Sequence, residues 1–490
     1  MLSLLTDPSL VYPDANDFYS PDERYPEYRH ERISSQKNPV YRAVRECFAQ
    51  AGLDRDHFDT PGWNPLGDHI HPGDKVFVLC NFANERRSNE LIQDYWSRCT
   101  HGSVIRATID YILIATGGTG RIYFGNAPTQ FCHWQAVLAD TGAQVVLEFY
   151  NTRGIPVIAK DLRLYVTDAT RLGKVKGVER RDETDGVPVN LGNRSMLAEL
   201  DREKTQRYRV KNYNPSRTDA FHAQGSHTFV INRHILDSDV IFSIPKFKTH
   251  EKVGISCALK GFVGTVGHKD SLPHHRRGTP EQGGDEYPSD KTGLLRMATA
   301  FHEQIQQTKP DTPLGSLLRV NDRVVRRLVR PVAPVSEGAW WGNNTAWRMA
   351  LDLVRIATYA SPDGEMGTTP RRRQLVLIDG ILGGEGEGPA EPTAVPSGFL
   401  QFGDNLVAVD YLNALLMGFD PEKIPLVREA FHVSQYPILN RGLTEEAIIH
   451  NGHPTTIEEL LQIERHPFEP PMGWKGKMEA AINPREKMAG

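Results

Sequence analysis

The sequence contains few cysteines, and they lie far apart. Five cysteines occur in 490 residues, at positions 47, 80, 99, 132 and 257, and no two of them form a CxxC pair. Without such pairs, the sequence offers neither a zinc ribbon nor a ferredoxin-type iron–sulfur cluster. Structural disulfides are not expected in a protein of cytosolic character. We therefore expect free thiols that are buried or half-buried.

Long apolar runs and a targeting segment are also missing. No stretch approaches the roughly 18 apolar residues of a transmembrane helix. The N-terminus has no basic region and contains Asp7-Pro8, unlike a secretory signal peptide. The net charge is −4, which argues against general nucleic-acid binding. We therefore expect a cytoplasmic protein without a transmembrane segment and without a nucleic-acid partner, whereas the oligomeric state is not specified.

Alternating apolar runs and amphipathic stretches predict an α/β protein. Strand-like runs at 75–80, 121–124 and 145–149 are separated by helix-like segments at 101–115 and 134–141. This alternation favours mostly parallel sheets with right-handed crossover helices. Further strands are expected at 240–244 and 375–378, and further helices at 292–308, 316–329, 347–358 and 405–417.

The length of 490 residues predicts more than one unit, since domains average about 150 residues. We expect an N-terminal arm and short helix in residues 1–70. A first α/β lobe would cover residues 71–335, with a polar insertion at about 171–228 and a basic loop. A second α/β lobe would cover residues 336–490, with an acidic, glycine-rich loop. The two loops are expected to meet across a cleft between the lobes.

Positive charge is concentrated between Lys246 and Arg277. Seven basic and two acidic residues give this segment a charge of +5, so the rest of the chain carries −9 within the net charge of −4. The segment follows a strand that ends at Pro245, and ligands of open α/β sheets bind at the carboxyl ends of strands. If Gly254 begins a helix, its free N–H groups would also face an anion. The alternative is a solvated surface loop, which the interspersed apolar residues disfavour.

Several stretches resemble one protein family. The sequence DVIFSIPKFKTHEKVGISCALKGFVG at 239–264 resembles the signature of domain of unknown function 362, a bacterial and archaeal family. Further similarity lies in IDGILGGEGEGP at 378–389, in VAVDYLNALLMGFD at 407–420 and in GNAPTQ at 125–130. The resemblance spans roughly residues 75–430. The tracts at 272–286 and 340–352 are similar to a subgroup whose genes often lie among bacterial polysaccharide-biosynthesis genes.

The chain departs from the family pattern at two places. Many relatives have Lys-Pro-Asn where this chain has Leu79-Cys80-Asn81, and Gly-Asp-Ala-Pro where it has Gly125-Asn126-Ala127-Pro128. A lysine at position 79 and a carboxylate at position 126 are therefore replaced at two candidate site positions. The ferredoxin-like cysteine module that some relatives carry is absent from the sequence.

The acidic, glycine-rich stretch predicts a metal site. Asp379 directly follows a strand, and Glu385 and Glu387 lie among glycines that we expect to form a tight loop. Carboxylate oxygens suit a hard divalent cation such as Mg²⁺, whereas a flexible acidic turn is the alternative. The stretch is not a dinucleotide-binding fingerprint, because Pro389 and Pro392 disfavour the helix that this motif needs. Asp404 is expected to cap the following helix.

The basic segment predicts an anion site with acid–base chemistry. We expect Lys246 and Lys248 to hold the anion, Lys260 to offset developing charge, and His250 to act as the acid–base group. Neighbouring lysines should lower the pKa of His250 and keep it neutral, as a general base must be. The alternative is that His250 only fixes the shape of its loop. Further substrate contacts are assigned to Asn81, Asn126, His274, Arg276 and Arg348.

Two helices carry alternative interpretations. Ser316–Arg330 has five arginines and one acidic residue, so it either covers a sheet or contacts an anionic membrane surface. Trp340, Trp341 and Trp347 either pack in the core or stack on a sugar. The sequence as a whole favours an enzyme for a small anionic, phosphorylated or carboxylated, sugar-like metabolite in a bacterial surface-glycan pathway. The alternative is a non-catalytic binding or accessory protein of the same pathway.

Overall fold

The structure is a computed structural model, and it describes most of the chain. The described residues are 1–169, 175–202, 207–210, 213–223, 225–289, 297, 300–301, 303–305, 317–318, 321, 335, 337–439, 442–443, 447–463 and 466–480. The helices predicted at 292–308 and 316–329 lie for the most part outside the described residues. The membrane-contact hypothesis for Ser316–Arg330 therefore stays a prediction.

A mixed sheet of eleven strands forms the centre of the described part of the molecule. Its strands are β1 (Leu2–Thr6), β2 (Lys75–Cys80), β3 (Arg121–Asn126), β4 (Val157–Asp161), β10 (Val240–Ile244), β11 (Lys246–His250), β12 (Gly254–Ser256), β14 (Arg373–Glu387), β15 (Glu391–Gly403), β16 (Ile448–His450) and β17 (His453–Thr455). Three two-stranded sheets are formed by β5 (Tyr165–Ala169), β6 (Val175–Arg180), β7 (Gly186–Asn190), β8 (Tyr208–Arg209), β9 (Thr228–Asn232) and β13 (His275–Arg276).

The order of the main sheet is β17-β16-β1-β15-β14-β10-β2-β3-β4, with β11 on β14 and β12 on β11. Strands β14, β10, β2, β3 and β4 run parallel to one another, as the alternation of strands and helices predicts. Strand β15 returns antiparallel to β14 and pairs with β1. The predicted α/β class is thereby confirmed.

Helices cover both faces of this sheet. They are α1 (Pro39–Gln50), α2 (Ile92–Arg98), α3 (Gly102–Ala115), α4 (Trp134–Asp140), α5 (Ala143–Asn151), α6 (Pro215–Phe221), α7 (Arg233–Leu236), α8 (Ala258–Gly261), α9 (Ala346–Tyr359), α10 (Leu406–Leu416), α11 (Pro425–Arg428) and α12 (Ile457–Leu461). Val76 and Val78 point into a core shared with α1, α3 and α5, whereas Phe77 and Leu79 point into a second core shared with α9 and α10. Burial on both faces explains why β2 is apolar throughout, as buried parallel strands are.

Strands on both sides of residue 335 belong to the central sheet, because β10 pairs with β14. The two predicted lobes therefore share one sheet. The basic and acidic segments are neighbouring strands rather than loops that face each other across a cleft, since β11 pairs with β14 and places Lys246 opposite Asp379. The proposed domain boundaries themselves stay a prediction.

One predicted strand is a helix. The run at 145–149 lies in α5, which follows Gly142 in the left-handed conformation at φ +75°. Its buried residues are Ala143, Val146, Phe149 and Tyr150, which lie on one helical face against α3. Short apolar runs do not by themselves distinguish a strand from a buried helical face. The strand that follows in the sheet is β4.

The glycine-rich stretch after Ile378 is also not a loop. It continues β14 to Glu387, and the chain then turns into β15. The glycines are required by close packing, because a Cβ atom at Gly383 would lie 2.5 Å from the Phe468 ring and one at Gly388 would lie 2.1 Å from the Thr249 carbonyl oxygen. Glycine composition suggests a loop locally, whereas its function here is to let neighbouring segments approach the strand.

One smaller expectation needs correction. The side chain of Asn405, rather than Asp404, caps α10 by accepting a hydrogen bond from the Ala408 N–H, and Asp404 instead pairs with the N-terminal amine at 3.2 Å. The N-terminal arm contains β1, which lies within the central sheet. No helix among the described residues combines the length and the apolar character that crossing a membrane requires.

Candidate functional site

The candidate site lies where three neighbouring parallel strands end. Asn81 follows β2, Asn126 ends β3, and β10 continues through Pro245 into β11. This edge of an open α/β sheet is where ligands bind in such folds. The sequence-based placement of the basic segment at the carboxyl end of a strand is therefore confirmed, although the segment begins as a strand and not as a loop.

Strand β11 presents its charged residues on one side. Lys246, Lys248 and His250 alternate with Phe247 and Thr249, and alternate residues of a strand point to the same face. Phe247 packs in the opposite direction against the rings of Phe399 and Phe468, at centroid distances of 4.7 and 4.9 Å. The aromatic contacts fix the strand, and the three cationic or titratable side chains therefore form a row.

Lys246 is neutralised within the protein. Its Nζ lies 3.0 Å from Asp379 Oδ1, and both side chains are fully buried. The Tyr12 hydroxyl donates to the same carboxylate at 2.6 Å and accepts from Lys246 Nζ at 2.7 Å. The His101 backbone N–H donates to the other carboxylate oxygen at 3.2 Å. Burial lowers the pKa of Lys246, and Asp379 opposes that shift. This lysine therefore has its counter-charge already.

Lys248 is held by neutral oxygens. Its Nζ donates to Asn81 Oδ1 at 2.6 Å and to the Arg98 carbonyl oxygen at 2.8 Å. Burial lowers its pKa to about 7, and the charges of Arg98 and Lys246 contribute to that shift. Two of the three ammonium hydrogens are used, so one donor remains. The structure thus brings the predicted ligands Lys248 and Asn81 together.

Lys260 has no partner among the residues that the structure describes. It lies in α8 with 6% of its surface exposed. Burial lowers its pKa to about 7, and the nearby charge of Lys252 adds to that effect. A buried charge is unfavourable unless it is paired or hydrogen-bonded. Lys260 is therefore the cation of this site that an anionic ligand would stabilise most.

Asp410 positions the helix that carries Lys260. Its two carboxylate oxygens accept from the backbone N–H groups of Ala258 and Leu259 at 2.7 and 3.0 Å. Burial raises the pKa of Asp410 to about 7. The segment from Gly254 is strand β12, and α8 begins only at Ala258. The expectation that free helix N–H groups from Gly254 onward bind an anion is therefore wrong, because Asp410 occupies them.

Two histidines of the basic segment are held in opposite tautomers. His250 Nδ1 accepts from the Lys252 backbone N–H at 3.1 Å, so in the neutral ring Nε2 carries the hydrogen. His274 Nδ1 donates to the Leu272 carbonyl oxygen at 2.8 Å, so in the neutral ring Nε2 has the free lone pair. Neither Nε2 atom has a hydrogen-bond partner in the described part of the chain.

Both histidines are kept neutral by their surroundings. Burial lowers the pKa of His250 and of His274 well below the ordinary value, and for both rings Lys260 is the largest neighbouring charge. The lowered pKa predicted for His250 is confirmed, with burial as the main cause. In these tautomers His250 Nε2 offers a donor and His274 Nε2 offers a lone pair, and the acid–base role predicted for His250 stays a prediction.

Two further lysines complete the site. Lys252 Nζ donates to the Glu337 carbonyl oxygen. Lys269 Nζ donates to the Ala127 carbonyl oxygen at 2.6 Å, and burial, followed by the Arg163 charge, lowers its pKa to about 7. We call the following six residues the lysine–histidine cluster: Lys248, Lys252, Lys260, Lys269, His250 and His274. Hydrogen bonds between neighbouring segments place them at one end of the sheet. Asn81, which binds Lys248, precedes Phe82, whose carbonyl oxygen accepts from Asn126. Ala127, whose carbonyl oxygen binds Lys269, donates its N–H at 2.7 Å to Gly264, four residues after Lys260.

Asn126 lies beside the cluster. It directly precedes Ala127, whose carbonyl oxygen binds Lys269, and it is 3% exposed. Its amide nitrogen donates to the Phe82 carbonyl oxygen at 3.0 Å, whereas its buried Oδ1 accepts no hydrogen bond from the described residues. An unsatisfied buried acceptor is unusual. Asn126 therefore fits its predicted place at the site.

Two predicted ligands have partners elsewhere. Arg276 lies near Asp285, with Nε 3.6 Å from Oδ2 and its backbone N–H on Oδ1 at 2.5 Å. Arg348 donates to Glu199 Oε2 at 2.6 Å and lies over the Trp347 ring. The structure therefore does not bring these two guanidinium groups into the lysine–histidine cluster.

The three carboxylates predicted to bind metal are also occupied by other groups. Asp379 pairs with Lys246, Glu385 accepts from the Glu469 backbone N–H at 2.8 Å, and Glu387 accepts from the Met472 backbone N–H at 2.6 Å. Within the described ranges, no set of three or more His, Cys, Asp or Glu side chains is arranged to hold a metal ion. The structure therefore does not gather these carboxylates into the predicted site.

Several residues that shape the site are not apparent from local sequence patterns. Lys252 and Lys269 are among the seven basic residues of the segment at 246–277. Their spacing in the sequence does not show that they lie near the other members of the lysine–histidine cluster. Tyr12 is separated from Lys246 by 234 positions, and no local pattern connects the two. Asp410 lies in the stretch at 407–420 that carries the family resemblance, and this resemblance is the sequence feature that could have pointed to it.

The fold and the site together define an α/β protein with a buried lysine–histidine site at the carboxyl edge of its parallel strands. The family described as domain of unknown function (DUF362) matches residues 166–414, which is half of the chain. The chain belongs to the DUF362 family, which confirms the family resemblance found in the sequence, whereas the resemblance to a subgroup near polysaccharide-biosynthesis genes stays a prediction. No curated protein and no solved structure matches the chain.

Proposed function

We propose that this protein is an enzyme that binds a small anionic metabolite at the lysine–histidine cluster and transfers protons on it. The observation that carries the proposal is Lys260, a buried cation without a partner among the described residues. Leaving a charge buried and unpaired costs several kcal/mol in typical proteins. A bound anion would remove that cost, so the site is built for an occupied state.

The available donors favour a compact anion such as a phosphate or a carboxylate. Lys248 uses two of its three ammonium hydrogens and Lys269 uses one, and both bind neutral oxygens. With Lys260, these side chains offer several N–H donors to one ligand. Ammonium groups act as compact point charges, which suits phosphate oxygens.

The two histidines supply different functions. His274 Nε2, with a free lone pair, would accept a proton from the substrate as a general base. His250 Nε2–H would donate a hydrogen bond to an oxygen on which negative charge develops. The neighbouring lysines would stabilise that charge. This division assigns proton abstraction to His274, whereas the sequence alone favoured His250.

The substrate class and pathway rest on the resemblance of two tracts. Residues 272–286 and 340–352 resemble a subgroup associated with polysaccharide-biosynthesis genes, and in the structure they are in contact. Asn343 donates to the His274 carbonyl oxygen at 2.9 Å, and Trp340 Nε1 donates to the Asp285 carbonyl oxygen at 2.8 Å. We therefore propose a phosphorylated or carboxylated, sugar-like metabolite of a surface-glycan pathway. Five free, buried cysteines fit the proposed cytoplasmic location.

Inorganic phosphate is the probe for the binding step. We expect Lys260→Met to weaken phosphate binding at pH 6.5 by about tenfold or more, which corresponds to roughly 1.4 kcal/mol or more. The reason is that methionine keeps the length of the side chain and removes its charge. Isothermal titration calorimetry measures the affinity. Lys75→Met is the matched control, because Lys75 is exposed at the opposite end of β2. Equal affinity in both variants would contradict the proposed site.

Metabolite profiling tests the catalytic step. A deletion strain complemented with His274→Gln should accumulate an anionic intermediate to nearly the level of the empty strain, because loss of an acid–base group usually lowers a rate by about 10²-fold or more. Complementation with the wild type should remove that intermediate. If His274→Gln restores normal metabolite levels while Lys260→Met does not, the non-catalytic binding function is the better account.

A further inference from the structure

Lys260 differs from the other lysines of the cluster in one respect. Lys248, Lys252 and Lys269 each donate to a backbone carbonyl or amide oxygen, which fixes the ammonium group. Lys260 Nζ makes no such bond within the described ranges, and part of its side chain remains exposed. An amine without a fixed hydrogen-bond partner is suited to react rather than to bind alone.

We propose that Lys260 is a nucleophile that forms an imine with the aldehyde or ketone group of a carbonyl-containing anion. This inference rests on the proposed function, because it places the reacting carbonyl in the same lysine–histidine cluster. It adds a substrate class, namely carbonyl compounds that also carry a carboxylate or a phosphate.

The surroundings of Lys260 favour the neutral amine that such a reaction needs. Lysine nucleophiles are activated by burial or by a neighbouring cation, since both disfavour the ammonium form. Lys260 is buried, which lowers its pKa, and the charge of Lys252 adds to that effect. Asp410 contributes no opposing interaction at Nζ, since its oxygens are bound to the Ala258 and Leu259 N–H groups.

The reaction starts from the neutral amine. Lys260 Nζ attacks the carbonyl carbon, and the C=O π bond breaks towards oxygen. One proton moves from the attached nitrogen to that oxygen, which gives a carbinolamine. The C–O bond then breaks, and the second nitrogen proton leaves with the hydroxyl group as water. The neutral amine and the carbonyl compound thereby give one neutral imine and one water.

Borohydride trapping tests the step in the full-length protein. Pyruvate and glyceraldehyde 3-phosphate are the probes, and sodium cyanoborohydride at pH 7 reduces any imine to a stable secondary amine. We expect peptide mass spectrometry to find at least tenfold more adduct on Lys260 than on the exposed Lys75. Saturating phosphate should suppress the adduct on Lys260 and leave that on Lys75 unchanged.

Two readouts on the wild-type protein separate this inference from the proposed function, because phosphate affinity tests the anion site and labelling tests the imine. Arginine forms no imine, so Lys260→Arg should lose the adduct at position 260 and gain no saturable adduct elsewhere. Wild-type protein that binds phosphate but labels Lys260 no more than Lys75 with either probe would overturn the imine and leave the anion site intact. Wild-type protein that does not bind phosphate would overturn the proposed function.

Discussion

Replacing Asp379 by asparagine is expected to lower the free energy of unfolding by about 3–5 kcal/mol, which is the usual loss when one partner of a buried ion pair is removed. Lys246 and Asp379 are both fully buried, and their charged atoms are 3.0 Å apart. Asparagine leaves the Lys246 ammonium without a counter-charge. It also weakens the acceptor of the Tyr12 hydroxyl and of the His101 N–H. Denaturant unfolding monitored by circular dichroism measures the change.

Glu385→Gln is the matched control on the same strand. Glu385 accepts from a backbone N–H and has a histidine neighbour, His466, that is mostly exposed. Because glutamine can accept the same hydrogen bond and an exposed pair contributes about 0–1 kcal/mol, we expect a change below about 1 kcal/mol. Similar losses in both variants would mean that Asp379 is not the special counter-ion of Lys246.

The two variants also separate structural from metal-binding carboxylates. If Asp379, Glu385 and Glu387 held a divalent cation, added Mg²⁺ would stabilise the wild type, and both substitutions would remove that effect. The partners seen for these carboxylates give a different expectation. Asp379 is required for the fold through Lys246, and Glu385 and Glu387 hold the backbone of the segment at 469–472.

Local patterns were sufficient for the elements that carry the site. The apolar runs at 75–80 and 240–244 predict β2 and β10, whose bounds the structure confirms. The stripe in 347–358 predicts α9. Because the basic segment follows β10 directly, its place at the carboxyl edge of the sheet was also predictable. In each case the hydrophobic periodicity is contained within a few neighbouring residues.

Long-range packing decided the parts that sequence patterns did not predict. Gly383 resembles a loop glycine, but it lies within β14, and a side chain there would collide with the Phe468 ring. The stretch at 145–149 has the composition of a strand, yet it packs on α3 as a helix. Propensity is overridden where tertiary contacts are stronger. Such contacts join residues far apart in the chain, and no spacing reveals them.

The charge state of the lysines is the clearest example of this limit. By composition, Lys246, Lys248 and Lys260 are equivalent members of one basic segment. In the structure, Lys246 has a carboxylate, Lys248 has two neutral oxygens, and Lys260 has no partner in the described part of the chain. The three should therefore respond differently to removal of their charge. Stability measurements can distinguish a structural lysine from one kept for a ligand.

Lys260→Met is expected to stabilise the protein while it weakens anion binding. The folded protein lowers the pKa of Lys260 to about 7, whereas an unfolded lysine titrates near pH 10.4. Each unit of difference corresponds to about 1.4 kcal/mol, so below pH 7 the buried ammonium destabilises the fold by an amount on the order of 3–5 kcal/mol. Methionine keeps most of the apolar contacts of the side chain and removes this cost.

The pH dependence gives the test its sign. Between about pH 7 and pH 10.4 the unfolded chain binds more protons at Lys260 than the folded protein does. The contribution of Lys260 to the free energy of unfolding of the wild type therefore rises with pH across that range. The advantage of Lys260→Met should therefore be largest at pH 6 and should have largely disappeared at pH 10. Lys75→Met should show no such trend, because Lys75 is exposed.

Lys248→Met should gain less stability than Lys260→Met, since it leaves Asn81 Oδ1 and the Arg98 carbonyl oxygen without their donor. Denaturant unfolding at both pH values measures these differences, and a Lys260→Met variant less stable than wild type at pH 6 would show that Lys260 serves the fold and not a ligand.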